Sequence, residues 1–109
     1  MNVVFLPEVR KYFESLASIL YEKEYFSFED TAQKYVDDLF DEIEMDLPIH
    51  LHKSAPKHFD KYGKGMEYAI FKKSKHTSWY VFFRVYKKYG EDIYQVRYIA
   101  NNHTVAQYF

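Results

Sequence analysis

Cysteine is absent from the chain, and glycine and proline are rare, with three residues of each among 109. Without cysteine, the protein can form neither a disulfide framework nor a thiolate metal site. No apolar run approaches the roughly 18 residues that span a bilayer, so no membrane span is expected. Residues 1–7 lack the basic and apolar segments of a signal peptide. These absences favour a protein of the reducing cytoplasm.

The length of the chain and its aromatic content set the next expectations. A length of 109 residues suits one domain, and we expect residues 1–109 to form a single hydrophobic core. Aromatic residues make up 21% of the sequence, and twelve of them are tyrosine. Such residues favour β-strands and offer flat surfaces for stacking on bases or partners, although an aromatic core alone also accounts for them.

The charges are divided unequally along the chain, although the formal net charge is only −1. Residues 1–47 carry four basic side chains against twelve acidic ones, whereas residues 48–109 carry eleven basic against four acidic. If each part folds to its own side, the protein has an acidic face and a basic face. The basic face is suited to phosphate, while the acidic face is equally explained as a solvated helix surface.

The first half of the sequence predicts a strand followed by two helices. Residues 2–6 form a short apolar run, and Pro7 is suited to the first turn of a helix. Apolar residues then recur three and four positions apart up to about Tyr25. The same spacing returns after Ser27, a residue type suited to a helix N-cap, and ends before Pro48. Two amphipathic helices joined by a short loop usually form an antiparallel hairpin.

The second half predicts a long loop and three strands. Residues 48–66 contain two prolines, two glycines and three histidines. They predict a connecting loop with one short strand near residues 49–51, and a loop of this length in a compact domain often has a function. Gly90 marks a hairpin turn at residues 89–92, between the last two strands. The three strands are predicted at residues 68–73, 79–88 and 93–100.

The predicted order is therefore β-α-α-β-β-β, in the α+β class. Both helices carry an apolar stripe, so the helical hairpin is expected to pack on one face of a mainly antiparallel sheet. The other sheet face is then open or covered by a partner. Alternation along the strands sends some of their basic residues to that second face. The basic residues on or beside the strands are Lys73, Arg84, Lys87, Lys88 and Arg97.

Four segments and the C-terminal residues carry a resemblance to a known family. They are residues 4–6 (VFL), 67–73 (EYAIFKK), 79–85 (WYVFFRV) and 94–100 (YQVRYIA), followed by Asn101-Asn102-His103 and Tyr108. Together with the order of elements, these loosely patterned segments resemble the RelE/ParE superfamily of type II toxin–antitoxin toxins. The resemblance covers nearly the whole chain and implies a RelE/ParE-like domain.

This resemblance implies a toxin, and an endoribonuclease in particular. The RNase members of the family cleave mRNA in the ribosomal A site and need no metal, whereas other members poison DNA gyrase. Each toxin is neutralised by an antitoxin peptide wrapped over it. The partners implied here are a cognate antitoxin and ribosome-bound mRNA, with DNA gyrase as the alternative target and no cofactor.

Six residues are candidates for the site. The family's RNases use basic residues of the central strands, a basic or His residue after the last strand and often a C-terminal Tyr. These positions correspond to Lys72 and Lys73 as phosphate contacts, to His103 and to Tyr108. A histidine with a pKa of ~6.5 can take or give a proton near neutral pH, which suits His103 to acid–base catalysis. Tyr108 is then expected to orient the substrate or donate a proton.

Arg84 and Arg97 are candidates on the strand pattern itself. Arginines inside neighbouring strands are less expected in a purely structural sheet, and cations stabilise the charge that develops in phosphoryl chemistry. Each candidate also has a structural explanation. Arg84 and Arg97 can pair with helix acids, the lysines can be solvated edge residues, Tyr108 can anchor the chain end, and His103 can be an ordinary turn residue.

Two departures from the family pattern bear on catalysis rather than on fold. Trp79-Tyr80 stand where the family often has an arginine at the start of the second long strand, and the chain is not basic overall. A non-nuclease toxin and a catalytically degenerate binding module of the same fold therefore stay open. His50, His52 and His58 match no firm zinc spacing, so no metal site is expected.

Overall fold

The computed structural model describes residues 2–109, which form an α+β protein. Its helices and strands are β1 Asn2–Phe5, α1 Pro7–Glu22, α2 Glu29–Asp46, β2 Lys53–Ser54, β3 Glu67–Lys72, β4 Ser78–Lys88, β5 Glu91–Asn101 and α3 Asn102–Val105. Short 3₁₀ helices lie at Leu47–Ile49, Lys57–Tyr62 and Ala106–Tyr108. The predicted class, a helical hairpin on a mainly antiparallel sheet, is confirmed.

The five strands form one sheet in the order β1-β5-β4-β3-β2. Strand β1 runs parallel to β5 along residues 93–96, and the other three pairings are antiparallel. Because β1 ends at Phe5, opposite Val96, residues 97–101 of β5 have no strand partner on that side within the described part of the chain. This free stretch of edge borders one of the clefts described below.

The main core lies between the helical hairpin and one face of the sheet. The helix stripes contribute residues such as Leu16 and Leu39, and the sheet contributes Phe71, Val81 and Phe83, all at most 1% exposed. Burying such side chains contributes about 1.5–3 kcal/mol each relative to leaving them in water. None of the helices among residues 2–109 has the length and apolar character to cross a membrane.

The junction between the helices differs from the prediction in two details. Helix α1 ends at Glu22 rather than near Tyr25, because Glu24 adopts a left-handed conformation with φ of 63°. The amide of Tyr25 then donates to the carbonyl of Leu20 at 3.0 Å, which closes the helix end. Ser27 is not the cap of α2. That position is Phe28, whose side chain makes no capping bond.

The connecting segment is more ordered than a loop. The predicted strand near residues 49–51 is wrong, since Leu47–Ile49 continue α2 as a 3₁₀ turn and the short strand falls at Lys53–Ser54. Residues 57–62 then form a 3₁₀ helix that crosses the second face of the sheet. Its Phe59 is only 1% exposed and stacks on Phe82 with ring centroids 4.3 Å apart.

A second, smaller core therefore covers part of the sheet face turned away from the helices. We name it the second-face cluster, and its buried members are Phe59, Met66, Tyr68, Phe82, Ala100 and Val105. The expectation that this face is open or covered by a partner is corrected here, because the chain's own 3₁₀ helix covers the end nearest Phe82. The expected openness survives toward Arg84–Lys88 of β4 and at Ile70 and Lys72 of β3, where the side chains are exposed.

Two irregularities shape the hairpin between β4 and β5. The turn consists of Tyr89 and Gly90 alone, with φ of 52° and 81°, which is the two-residue turn favoured by twisted strands. Strand β5 thus begins at Glu91, before the predicted start at Ile93. Farther along, Phe82 pairs with Tyr98 but Phe83 pairs with Val96, so Arg97 is the extra residue of a β-bulge.

Candidate functional site

The bulge in β5 places Arg97 on the second face of the sheet in a fixed orientation. Its Nε donates to the carbonyl oxygen of Tyr62, and its Nη1 donates to Oε1 of Gln95, both at 2.6 Å. A guanidinium has five N–H groups, so three remain without a hydrogen-bond partner among residues 2–109. An arginine held in this way needs little ordering to bind a phosphate or carboxylate.

Gly63 allows the Arg97 side chain to lie close to the backbone of residues 62 and 63. A Cβ at this position would lie 2.6 Å from Nε of Arg97, and the φ of +150° is one that residues with side chains rarely adopt. Gly63 ends the 3₁₀ helix that begins at Lys57. The backbone turn that covers the second face therefore also presents the Tyr62 carbonyl to the guanidinium.

Arg84 lies on the same face as Arg97. It pairs across the strands with Gln95, which accepts the bond from Arg97. Arg84 follows Phe83, whose ring is buried against the helices, so alternation turns Arg84 to the opposite side. The alternative that these arginines pair with helix acids is not observed within residues 2–109. We name Arg84, Gln95 and Arg97 the arginine face.

A cleft of about 640 Å³ runs along the free edge of β5, between Arg97 and α1. We call it the edge cleft. Glu8 and Tyr12 line it from α1, residues 97–100 from β5, and Tyr62 and Thr104 complete it. Burial raises the pKa of the Tyr12 hydroxyl above 10.0. Burial, followed by the interaction with Tyr62, raises the pKa of Tyr98 to about 12. Both phenols therefore stay neutral across the physiological range.

His103 lies beside a second cleft, on the other side of α3. This aromatic cleft has a volume of about 260 Å³, and its rings are Tyr25, Phe26, Tyr35 and Trp79. The indole Nε1 of Trp79 donates to the hydroxyl of Tyr35 at 2.8 Å. His103 is exposed at the rim, and the neighbouring Thr104 lines the edge cleft, so α3 separates the two clefts.

Tyr108 packs on the 3₁₀ helix that covers the second face. Its ring stacks on His58, with centroids 3.5 Å apart and an angle of 9° between the rings, and it packs edge-on against Phe59. His58 belongs to the 3₁₀ helix on the second face, whereas His103 borders a cleft beside Trp79 and Tyr35. The structure therefore brings Tyr108 to His58 and does not pair it with His103.

The two candidate lysines have different surroundings. The Nζ of Lys73 lies 3.1 Å from Oε1 of Glu42 on α2 and sits 5.9 Å from the ring centre of Tyr35. Lys73 thus ties the end of β3 to the helical layer. Lys72 ends β3 on the second face, opposite Ser78, and its side chain is exposed without an ion pair among the described residues.

The helical layer and the sheet layer carry opposite charge, as the sequence suggested. The acidic residues of α1 and α2 lie on the solvent side of the hairpin, with only Glu42 and Asp46 partly covered. The basic residues from 48 onward belong to the sheet layer and its connecting segment. An anionic ligand is therefore attracted to the arginine face and repelled by the outer helix surface.

The loop histidines are engaged individually. The Nε2 atoms of His50 and His52 lie 2.7 and 2.8 Å from the carbonyl oxygens of Ile70 and Leu47, respectively. His50 also stacks on Phe71, with centroids 4.1 Å apart. Within residues 2–109, no three His, Asp or Glu side chains come together in the geometry of a metal site. These histidines thus pack the connecting segment against the sheet.

Sequence reasoning missed Tyr62, Gly63, Gln95 and the aromatic rings of the α1–α2 junction. Gly63 was visible only as a loop glycine, and nothing in the pattern of β5 marks residue 97 as a bulge. Comparison with known proteins adds no relationship, since no family model, curated protein or solved structure matches the chain.

Proposed function

We propose that this chain is a cytoplasmic toxin of a type II toxin–antitoxin system and cleaves ribosome-bound mRNA without a metal. The observation that carries the proposal is the anchored guanidinium of Arg97. Two short hydrogen bonds hold it, three N–H groups stay free, and it lines the edge cleft. A preorganised cation of this kind binds a phosphate of RNA with little further ordering.

RNA cleavage without a metal requires three events at the scissile phosphate. The 2′-OH loses a proton, the pentavalent phosphorane is stabilised, and the leaving 5′-oxygen gains a proton. Arg97 and Arg84 are assigned to phosphates of the bound RNA strand. These roles use the bidentate geometry of guanidinium toward phosphate oxygens.

His103 is assigned to proton transfer. It lies six positions after Arg97, and its neighbour Thr104 lines the same edge cleft as Arg97. An RNA strand that follows the free edge of β5 from Arg97 therefore reaches α3. Tyr108 is assigned to positioning on the second face, where it stacks on His58. Lys72 is the remaining phosphate contact, while Lys73 acts through its bond to Glu42.

The proposed partner is a cognate antitoxin that covers the arginine face. Charge complementarity supports this partner, because Arg84 and Arg97 face the same side and neither has an acidic partner among the described residues. An acidic extended peptide would meet both guanidinium groups. In that arrangement, the antitoxin blocks RNA by occupying its phosphate contacts.

The purified chain should be incubated with ribosomes paused on a defined mRNA. We expect new 5′ ends within the codon in the A site, and their loss with Arg97→Lys. Lysine keeps the charge but cannot hold both Tyr62 and Gln95 while it binds phosphate. Arg10→Gln, which removes a cation from the outer surface of α1, is the control and should cut normally. An uncut mRNA with folded wild-type protein would refute the nuclease assignment.

A binding module without catalysis is the second candidate, and a specific observation favours it. His103 and Tyr108 contact separate clusters, so no histidine–tyrosine pair forms at the arginines. If the chain is a binding module, its binding of RNA should depend on Arg97 and the bound RNA should stay intact. An electrophoretic shift assay on the same mRNA separates the two candidates, since only the nuclease produces shortened RNA. Inhibition of DNA supercoiling would instead indicate gyrase as the target.

A further inference from the structure

We infer that the aromatic cleft beside His103 binds a single unstacked nucleobase of a ribonucleotide. This inference deepens the proposed function, on which it rests for the identity of the substrate, but it concerns a different part of the molecule from the arginine face. Three observations carry it, namely the ring walls, the unused polar groups at the rim and the basic turn beside the mouth.

The walls of the cleft are aromatic, and three of the four rings are held in place. The bond from Trp79 to the Tyr35 hydroxyl locks two of the rings, and Phe26 packs on Tyr35 with centroids 5.2 Å apart. Tyr25 is 63% exposed, and no other ring lies against it among the described residues. The left-handed Glu24 brings Tyr25 to this position by ending α1. Flat rings of this kind stack on the π-face of any base.

The rim of the cleft presents both donors and acceptors. The Tyr35 hydroxyl accepts from Trp79, so its own O–H is available to a ligand. The Asn101 side chain uses its oxygen for the amide of Thr104, which leaves its amide hydrogens available. The hydroxyls of Ser74 and Thr77 and the ring of His103 complete the rim. A nucleobase edge has this mixture of donors and acceptors, whereas an apolar ligand would leave these groups unpaired.

The mouth of the cleft lies beside a basic turn. Residues 73–77 join β3 to β4, and exposed Lys75 and His76 lie at the tip between Ser74 and Thr77. The side chain of Asn102 holds the turn, since its Oδ1 accepts from the amide of Ser78 at 2.9 Å and its Nδ2 donates to the His76 carbonyl at 3.2 Å. A 5′-phosphate on the bound nucleotide would meet Lys75.

The size of the cleft limits the ligand. A volume of about 260 Å³ lies below the roughly 300–1,000 Å³ of pockets for drug-sized ligands, so it suits one ring system rather than an extended ligand. An aromatic side chain of a protein partner has a similar size. A base is favoured because the rim offers five polar groups, Tyr35, Ser74, Thr77, Asn101 and His103, and because Lys75 lies in the turn beside the mouth.

The single tryptophan makes the test direct. Its indole N–H gives one NMR signal, and this N–H lies in the cleft bonded to Tyr35. The full chain, labelled with ¹⁵N, should be titrated with AMP, GMP, CMP and UMP, and separately with ribose 5-phosphate. We expect at least one nucleotide to shift the indole signal in a saturable way, while ribose 5-phosphate leaves it unchanged. A shift produced equally by ribose 5-phosphate would overturn the base-binding assignment.

A matched pair of variants locates the binding. Tyr25→Ala removes one wall, and the affinity for the preferred nucleotide should fall at least about fivefold, the contribution of one stacking contact. Tyr89→Ala removes a ring that is 96% exposed in the distant hairpin turn, and should bind as tightly as wild type. Because Tyr25 is also largely exposed, both variants are expected to fold, which circular dichroism checks. Equal affinities in the two variants would contradict the inference.

Two further outcomes distinguish this inference from the proposed function. Nucleotide binding by a chain that never cuts RNA would support the cleft and reject the nuclease. RNA cleavage by a chain whose indole signal ignores all four nucleotides would do the opposite. If N-acetylphenylalanine amide shifts the indole signal and the nucleotides do not, the occupant is a protein side chain and the assignment fails.

Discussion

The Nε of Arg97 donates to the carbonyl oxygen of Tyr62 at 2.6 Å, which joins the β-bulge of the last long strand to the segment that covers the second sheet face. The contact orients a cation and also ties two distant parts of the chain, since 35 positions separate the two residues. The ring of Tyr62 stacks on Tyr98 at 3.9 Å, so the same residue supports the strand next to the bulge. Arg97 therefore joins two parts of the fold, and in the proposed function it also binds RNA phosphate.

Replacing Gly63 should disturb Arg97 more than replacing Gly65. In Gly63→Ala, the new methyl group would lie 2.6 Å from Nε of Arg97, so the guanidinium must leave its position. In Gly65→Ala, no atom lies within 4 Å of the new methyl group, and only the left-handed backbone at φ of +68° is strained. That strain costs about 1–2 kcal/mol. RNA affinity, measured by electrophoretic shift, should fall in Gly63→Ala alone. Equal affinities in the two variants would mean that the position of Arg97 beside Gly63 does not matter for RNA binding.

Phe59→Ala should strongly destabilise the protein. Phe59 is 1% exposed and stacks on Phe82 in the second-face cluster. Truncation of a buried phenylalanine typically lowers the free energy of unfolding by about 3–5 kcal/mol. The control is Phe28→Ala, whose ring is 71% exposed, with an expected change within about 0.5 kcal/mol. Urea unfolding measures both, and a small loss in Phe59→Ala would mean that the 3₁₀ helix does not cover the sheet in solution.

Replacing Lys73 should lower the free energy of unfolding and leave the affinity for RNA unchanged. Its Nζ lies 3.1 Å from Glu42, and the two side chains are 20% and 33% exposed. Because both side chains are partly covered, their coupling free energy should lie toward the upper end of the range for surface ion pairs. A double-mutant cycle with Lys73→Met and Glu42→Gln should therefore give a coupling of about 1 kcal/mol. The RNA affinity of Lys73→Met should stay near that of wild type. No coupling together with weaker RNA binding would assign Lys73 to the phosphate instead.

Stability should decline at high pH, partly through Tyr98. Its pKa in the folded protein is raised to about 12, whereas an unfolded tyrosine titrates near ~10. Folding therefore favours the neutral phenol. This contribution is fully present below pH ~10 and is lost as the pH rises from ~10 toward ~12. Urea unfolding at pH 8 and pH 11 should show a smaller loss in Tyr98→Phe than in the exposed control Tyr89→Phe. Identical losses of stability in the two variants would argue against a raised pKa of Tyr98.

The sequence predicted the parts of the fold that depend on repeated patterns. Helices α1 and α2 follow from apolar residues three and four positions apart, and β4 follows from its aromatic and β-branched run. The end of α1 could not be predicted, because Glu24 occupies a left-handed position that usually belongs to glycine. The cover of the second face was equally hidden, since Phe59 is a single apolar residue within a charged stretch.

The candidate site was predicted only in part. Arg84 and Arg97 were selected because strand arginines are unexpected, and the structure puts both on the second face. Their geometry depends on a bulge and on Gly63, and neither has a pattern in the sequence. His103 and Tyr108 are close along the chain, but the helical turn that begins at Asn102 sends them to different neighbours. Short sequence distance therefore did not indicate spatial contact.

The most direct test of the proposed toxin activity is the growth of bacteria after induction of the chain without any antitoxin, with mRNA ends mapped by primer extension. Wild type, Arg97→Gln, His103→Gln and the control Arg10→Gln should be compared at equal levels of folded protein. We expect growth arrest and new mRNA ends for wild type and Arg10→Gln, and neither for Arg97→Gln or His103→Gln. Normal growth and intact mRNA with folded wild type, or unchanged cleavage by Arg97→Gln, would contradict it.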